Sequence, residues 1–409
     1  MKIWVMTLIL AVGFALLPSC REKSLTNSRV VVTAVGIDAG EEADCRLSIQ
    51  AIETLKTSGS LTEQAENATK VYDIEAPSVA GALQSFVTRT GRSSYILHNR
   101  AVVIGLEQAK RRPLSALLDY FIRNHEGRST VDMAVCRGEA AELLAVPSAG
   151  YTIPAEHLSV LLQQAGRQGF AVPTDLLDVE RSTSGMYDMV MPIVRVDKTG
   201  EEPAMVMDGT AVFRRGEYAG ELDEEATRGL LFGRGDLQTC TYPLSLPGTA
   251  EDPERLTVEV TSSKTKVRIW PEGEAAVIRL TISCKATVLE EYRAAGLESS
   301  DLKAVAGALQ EAILQDVRSA LDKTIGDWGC DVYGFSRMVK KKAPELVRGR
   351  EDEWPARLRD CRFEVEVKAD AAKAGGVARE TGFPVPGRSR TPCRCGRGGA
   401  SGAPAPAPR

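Results

Sequence analysis

Strand-like and helix-like patterns of apolar residues alternate through the first half of the chain. Residues 29–38, RVVVTAVGID, form a nearly continuous apolar run that predicts a buried strand. Residues 46–52 alternate apolar and polar positions and predict an antiparallel partner, and the polar residues 56–69 predict an exposed loop. Ser78 is a candidate helix N-cap. The spacing after it predicts a helix whose buried face carries Val79, Leu83, Phe86 and Val87.

The same alternation continues to about residue 170. Residues 100–105, RAVVIG, predict a short buried strand, and a further strand follows in STVDMAVCRG. Helices are predicted to begin at Pro113, Glu139 and Pro154. No glycine-rich phosphate loop follows any of these strands, which excludes a doubly wound nucleotide-binding domain.

The second half is dominated by longer strands. AMVMDGTAVFRRGEYAGEL predicts a hairpin that turns at RRGE, and Asp223 is expected to cap the helix in EEATRGLLF. RLTVEVTSSKTKVRIW and AAVIRLTISCKATVLEE alternate at period two and predict neighbouring strands. A long helix is expected over residues 300–325, and RFEVEV predicts a closing strand.

These elements predict an α+β fold. We expect several small mixed α/β domains with largely antiparallel or mixed sheets, together with a long C-terminal helix. The predicted division places one α/β region at residues 29–200 and a second at residues 201–368. Residues 369–409 are expected to be a disordered tail, because residues 371–409 hold eight glycines and six prolines with no apolar period.

The N-terminus has the pattern of an export signal. Residues 3–17 are apolar, but fifteen residues span only ~22 Å as a helix, less than the ~30 Å of a bilayer core. The following Leu17-Pro18-Ser19-Cys20 resembles a bacterial lipobox. This pattern predicts a signal peptide over residues 1–19, a diacylglycerol-modified Cys20 and a tether over residues 20–28. An ordinary secretory signal with an incidental cysteine is the alternative.

The charge of the chain is unevenly distributed, which limits the kinds of partner it can bind. The formal net charge is −4, and residues 371–409 carry seven basic groups and one acidic group, so residues 1–370 carry 44 basic and 54 acidic groups. An acidic body excludes nucleic acid as a partner, since phosphate binding needs concentrated positive charge.

The nine cysteines include no CxxC pair. Those of the body are expected to be buried apolar side chains, and disulfides between distant cysteines remain an alternative.

No catalytic, cofactor or metal site is predicted. The three histidines, His98, His125 and His157, lie in separate segments, and no GxSxG or GxxxxGK[ST] motif is present. The acidic run at residues 223–225 is expected to be a solvated helix start. The basic runs at residues 264–266 and 340–342 are expected to be solvated faces, with lipid headgroups or an acidic partner as the alternative.

Several blocks of the sequence resemble the Ger(x)C family, the lipoprotein C-subunits of nutrient germinant receptors in spore-forming bacteria. The blocks include TAVGID, YILHNRAVVIGLEQAK, LLDYFIRNHEGRSTVDMAV and IPAEHLSVLL in the first half. DGTAVFRRGEYAGELDEEATRGLLFGRG, SSKTKV and DVYGFSRMVKKKAPE follow in the second half, in the order of the family. The resemblance runs from the lipobox to about Val367.

The resemblance implies a non-catalytic lipoprotein with no cofactor, anchored through Cys20 to the outer face of the spore inner membrane. It also implies a complex with integral membrane A- and B-type receptor subunits and a role in nutrient-triggered germination. The alternative is a free-standing solute-binding lipoprotein that captures a small nutrient. The low aromatic content, 5%, and the absence of two matching halves weigh against that alternative.

Overall fold

A computed structural model describes residues 29–41, 43–52, 69–124, 127–148, 150–184, 187–249, 252–292, 301–349 and 354–373. The strands are β1 (Arg29–Asp38), β2 (Cys45–Ile52), β3 (Thr69–Ala76), β4 (Ser93–Tyr95), β5 (Ala101–Gly105), β6 (Asp132–Arg137), β7 (Met189–Asp197), β8 (Ala204–Arg214), β9 (Glu217–Leu222), β10 (Cys240–Thr249), β11 (Asp252–Glu272), β12 (Ala275–Tyr292) and β13 (Arg362–Lys373). The α-helices are α1 (Val79–Thr90), α2 (Leu106–Arg111), α3 (Leu114–Arg123), α4 (Ala140–Ala145), α5 (Pro154–Arg167), α6 (Leu176–Thr183), α7 (Glu224–Arg234), α8 (Leu302–Leu321), α9 (Phe335–Lys342), α10 (Pro344–Val347) and α11 (Trp354–Arg357).

The first sheet is mixed and has the order β3-β2-β1-β5-β6-β7-β8-β9, with β4 pairing the start of β1. Its central strands β1, β5, β6 and β7 run parallel, and antiparallel strands flank them on both sides. Successive side chains of β5 enter different cores: Val102 and Ile104 pack on one face, and Ala101 and Val103 on the other. A sheet covered on both faces explains why β5 is wholly apolar.

The second sheet has the order β10-β11-β12-β13 and is antiparallel except for the parallel pair β12–β13. Helix α8 packs on it through Val305, Leu309, Ile313 and Val317, which are fully buried at four-residue spacing. The predicted α+β class, the mixed and antiparallel sheets and the long C-terminal helix are therefore confirmed.

Capping and turn residues in the sequence predicted the positions of two helix starts and one hairpin correctly. Ser78 caps α1 by accepting a hydrogen bond from the Gly81 amide, and Asp223 caps α7 by accepting one from the Ala226 amide. The RRGE turn joins β8 to β9, and Arg215 and Gly216 adopt the positive φ angles, 51° and 83°, that such a tight hairpin requires.

Three expectations need correction. Val87 is 39% exposed, because it lies beside the buried stripe of α1 rather than in it. The long helix ends at Leu321, and a π-helical turn covers Asp322–Asp327. The tail was expected to begin at residue 369, but β13 continues to Lys373 because Ala369–Lys373 keep pairing with β12, and Ala369 is buried.

The boundary predicted after residue 200 stays a prediction. Strands β8 and β9 follow that boundary in sequence, yet they complete the first sheet by pairing with β7 and with each other. Helix α7, which follows β9, packs against α8 in the core of the second sheet. By sheet membership, the first region runs from β1 to β9 (residues 29–222) and the second from the α7 cap to β13 (residues 223–373), and the β9–α7 connection joins them.

Buried polar groups fix how helices dock on the first sheet. Asp38, at the end of β1, accepts hydrogen bonds from the amides of Ala140 and Ala141 at the start of α4, at 3.0 and 3.3 Å. A Cβ on Gly105 would lie 2.2 Å from Asp38 Oδ1, so only glycine fits there. The TAVGID block therefore ends in a helix cap.

The side chain of Gln50 connects four elements of the first region. Its Oε1 accepts hydrogen bonds from the Thr33 hydroxyl at 2.7 Å and from the Ala155 amide at 3.2 Å, and its Nε2 donates to the Leu144 carbonyl at 2.7 Å. Gln50 is fully buried. Each polar atom of the amide side chain has a partner, which removes the cost of burying it.

Candidate functional site

The predicted lipidation site, Cys20, lies outside the described residues, as do His125 and residues 374–409. The described body begins at Arg29 on β1, which pairs with Ser93 on β4. Eight residues separate Cys20 from Arg29, and a chain of eight residues spans at most ~28 Å. A lipid on Cys20 would therefore hold the start of β1 close to the membrane surface.

The two described histidines occupy different settings. His98 is exposed in a 3₁₀ turn after β4. His157 on α5 stacks on Tyr151, with ring centroids 5.2 Å apart, and its Nδ1 lies 3.2 Å from the Ser148 hydroxyl. Burial lowers the pKa of His157. Among the described residues, no three metal-ligating side chains cluster together.

The acidic and basic runs also lie apart. Asp223 is engaged as the α7 cap and in an ion pair with Lys323 at 2.6 Å, as expected of a helix start. Lys340–Lys342 form the exposed last turn of α9, and Lys264 and Lys266 are exposed on β11. These runs therefore meet in no common site.

A cavity of about 570 Å³ lies where the two regions meet, and we call it the junction cavity. Its first-region wall comes from α6, the start of β7 and the β8–β9 turn. Its second-region wall comes from the end of α7 and from the loop that leads into α9. A cavity of this size suits a small molecule.

Two aspartates, the half-buried Asp188 and the buried Asp331, link the segments that line the junction cavity. Asp188 Oδ1 accepts a hydrogen bond from the Arg215 amide at 3.0 Å, and its Oδ2 accepts one from the Asp331 amide at 2.7 Å. Asp331 in turn accepts from the amides of Phe335 and Ser336 at the start of α9, at 2.8 and 2.7 Å. Burial raises the pKa of Asp188, although the two amide donors act in the opposite direction. Asp188 thus connects the first region to the second.

Arginines dominate the rim of the junction cavity. Arg234 pairs with Asp236 at 2.7 Å, and Arg181 lies 3.7 Å from Asp178. Three further arginines, Arg214, Arg215 and Arg337, also line the cavity. In the part of the chain that the structure describes, their guanidinium groups have no carboxylate partner within 4.0 Å. The cavity is therefore positively charged at its mouth.

Sequence reasoning did not find the junction cavity. Its arginines are spread between positions 181 and 337, so no single motif contains them. The only local signals were the RRGE turn, which was interpreted as a hairpin, and the DVYGFSRMVKKKAPE block, which was used only for its resemblance. No helix within the described ranges is long and apolar enough to cross a membrane.

Comparisons with known proteins match both regions of the chain. The family model for the spore germination protein N-terminal domain matches residues 23–196, and that for the spore germination B3/GerAC-like C-terminal domain matches residues 208–375. Spore germination protein KC of Bacillus subtilis (strain 168) is 23% identical over 402 residues, covering 92% of this chain and 96% of the relative. Spore germination protein B3 of the same organism is 20% identical over 292 residues, covering 70% of this chain and 76% of the relative.

A solved structure shares the fold. The crystal structure of the GerBC protein superimposes with a TM-score of 0.52 at 18% sequence identity, covering 82% of this chain and 96% of that chain. At this identity the likeness concerns the fold alone. The combination of a mixed first sheet and a four-stranded second sheet is therefore not peculiar to this chain.

Proposed function

Because the chain belongs to the GerAC family of spore germination proteins, we propose that it is a lipid-anchored, non-catalytic subunit of a spore nutrient germinant receptor. The observation that carries the proposal is the match of both family domains, in order, across nearly the whole described body. In this proposal, Cys20 bears the lipid and the two regions form the body that faces the partners.

The membrane attachment follows from the N-terminal pattern. Two acyl chains on Cys20 would bind a bilayer stably, since each buried CH₂ contributes ~0.8 kcal/mol and firm anchoring needs two signals. The tether of eight residues would keep the body at the outer face of the spore inner membrane. There it would contact the integral A- and B-type subunits, which we propose as its partners in nutrient-triggered germination.

The anchor is tested on the mature protein purified from spores. Intact and peptide mass spectrometry should find a polypeptide that begins at Cys20 and carries a diacylglyceryl thioether. Cys20→Ala should abolish the modification and release the protein from the membrane fraction. Cys393→Ser, which changes a cysteine near the other terminus, should leave both unchanged. An unmodified Cys20 thiol in the mature protein would refute the anchor.

Assembly is tested by extraction of spore membranes in a mild neutral detergent. The wild-type protein should co-purify with integral membrane proteins, and spores that lack it should fail to germinate with at least one nutrient. Recovery as a monomer from germination-competent spores, together with normal germination of the deletion strain in every nutrient, would refute the receptor-subunit proposal. That outcome would leave the solute-binding lipoprotein as the better hypothesis.

A further inference from the structure

We infer that the junction cavity is a binding site for a small organic anion that carries carboxylate or phosphate groups. This inference goes beyond the proposed function, since it needs neither the lipid anchor nor receptor assembly. It rests on the charges around the cavity, on a hydroxyl without a partner in its wall and on the volume enclosed.

Five arginines and four aspartates line the cavity, so the arginines are in excess by one charge. Asp178 and Asp236 lie beside Arg181 and Arg234, as described above. Asp188 and Asp331 keep their negative charges and act on the arginines at longer range, as Arg214 and Asp188 do on each other, but their oxygens already accept backbone hydrogen bonds. Arg214, Arg215 and Arg337, brought there by the β8–β9 hairpin and by α9, therefore have guanidinium groups that no carboxylate in the described part of the chain contacts.

Arginines that line one cavity repel one another, although Arg214, Arg215 and Arg337 are exposed to solvent. Like charges repel more strongly next to a protein wall than in bulk water, because the effective dielectric constant is lower there. An anion with two or more oxygens removes the repulsion, and guanidinium groups bind carboxylate and phosphate oxygens in pairs of parallel hydrogen bonds. The arginine set therefore fits an oxyanion better than a neutral ligand or a cation.

A hydroxyl group in the wall supports the same ligand class. Ser336 lines the cavity, and its buried Oγ has no hydrogen-bond partner among the described residues. A rotation about the Cα–Cβ bond of Ser336 that brings the hydroxyl into the cavity would let a ligand oxygen accept its hydrogen bond, which recovers the about 1–3 kcal/mol that a buried hydroxyl without a partner costs. Ser336 follows directly after the α9 start that Asp331 caps, so the backbone holds it in place.

The volume leaves room for a ligand larger than a simple halide. About 570 Å³ lies within the ~300–1,000 Å³ typical of sites for small organic ligands. Because Arg214 and Arg215 belong to the first region and Arg337 to the second, one anion would contact both. A bound anion would therefore add a second link beside the Asp188–Asp331 hydrogen bond and stabilise the junction.

The test uses the purified full chain in neutral detergent, at constant ionic strength set with chloride. Inorganic phosphate and succinate are titrated by calorimetry, and thermal midpoints are recorded in parallel. We expect saturable binding of at least one probe and a rise in the midpoint. Arg214→Gln/Arg337→Gln should weaken that binding at least about tenfold, roughly the loss of one charge-assisted hydrogen bond. Arg268→Gln, an exposed arginine on β11 outside the cavity, should bind like wild type.

A second measurement needs no variant. Phenylglyoxal modification of the wild-type chain is followed by peptide mass spectrometry, and the bound probe should slow modification of Arg214, Arg215 and Arg337 but not of Arg268. Absence of saturable binding by both probes, or binding without protection of these arginines, would overturn the inference. Binding to phosphatidylglycerol vesicles but not to the free anions would overturn it too, because the site would then be a lipid surface. None of these results depends on Cys20 or on receptor assembly.

Discussion

The buried ion pair between Arg228 on α7 and Asp316 on α8 gives the sharpest stability prediction. Arg228 Nε lies 2.9 Å from Asp316 Oδ2, and the side chains are only 9% and 8% exposed. The Tyr242 hydroxyl donates to the same carboxylate oxygen at 2.6 Å, and the guanidinium lies over the Tyr242 ring at 4.2 Å. The carboxylate and the ring keep the pKa of Arg228 above its ordinary value despite burial.

The two halves of the pair should respond differently to removal of the partner. In Asp316→Leu, Arg228 remains charged, because neutralising a group of ordinary pKa 12.5 at pH 7 would cost about 7.5 kcal/mol. We expect a loss of about 3–5 kcal/mol in unfolding free energy. In Arg228→Met, Asp316 can take up a proton. For a carboxyl group of ordinary pKa 3.8, protonation costs at most about 4 kcal/mol at pH 7 and about 1.6 kcal/mol at pH 5.

The prediction is therefore a pH signature rather than a single number. The cost of Arg228→Met should fall by up to about 2–3 kcal/mol between pH 7 and pH 5. The cost of Asp316→Leu should not fall, because burial raises the pKa of Asp316 in the wild type and so favours the wild type at the lower pH. The double variant Arg228→Met/Asp316→Leu should be less destabilised than Asp316→Leu alone, since it leaves no unpaired buried charge.

Urea unfolding followed by tryptophan fluorescence is the suitable assay. Three of the four tryptophans, Trp270, Trp328 and Trp354, belong to the second region, so the signal reports on the pair's surroundings. Arg362→Met is the control: its ion pair with Glu272 is about half exposed, so its loss should leave the unfolding free energy nearly unchanged at both pH values. Equal costs at both pH values for Arg228→Met, or additive costs in the double variant, would refute the reasoning.

Three further predictions concern packing, buried hydrogen bonds and a helix cap. Gly229→Ala places a Cβ 2.0 Å from a backbone carbonyl oxygen of α8, so it should lower the unfolding free energy, measured by fluorescence, by about 1–3 kcal/mol. Gly307→Ala is the control: its Cβ would have no neighbouring atom within 4 Å, so the substitution should be neutral or stabilising. Gln50→Leu should cost about 2–4 kcal/mol and speed hydrogen exchange in β1 and β2, because it leaves buried donors and an acceptor unpaired; unchanged exchange would contradict this. Burial would raise the pKa of Asp223, but Lys323 and a backbone amide lower it below its ordinary value. In urea titrations at pH 7, the unfolding free energy of the wild type should exceed that of Asp223→Asn by less than about 1 kcal/mol, because the cap is half exposed. This difference should be lost as the pH falls below about 4. A difference that stays constant with pH would contradict the charge argument.

Short-range patterns were sufficient for much of the secondary structure. The valine-rich run of β1 and the period-two alternation of β11 and β12 identified these strands, and Ser78 and Asp223 identified the starts of α1 and α7. Strand β10 and helix α6 gave no signal that was recognised. Strand β3 also went unrecognised, since its residues are mostly polar or partly exposed.

Long-range partners could not be obtained in the same way. Arg228 and Asp316 are 88 positions apart, and the three cavity arginines that no carboxylate contacts, Arg214, Arg215 and Arg337, come from two segments more than 120 positions apart. Nothing in the spacing of either set distinguishes it from solvated surface charge. The resemblance of the sequence blocks identified the family, but it supplied no residue of the junction cavity.

Local patterns in the sequence were enough to predict the period of many elements and several of their ends, because periodicity and capping depend on residues within one or two turns of each other, and the sequence blocks were enough to identify the family. The three-dimensional structure was needed to learn that β8 and β9 complete the first sheet, that β13 joins β12 in parallel, and that arginines from both regions meet at one cavity. Strand pairing and charge convergence depend on how distant segments pack together. That packing is set by burial of whole faces rather than by any local spacing.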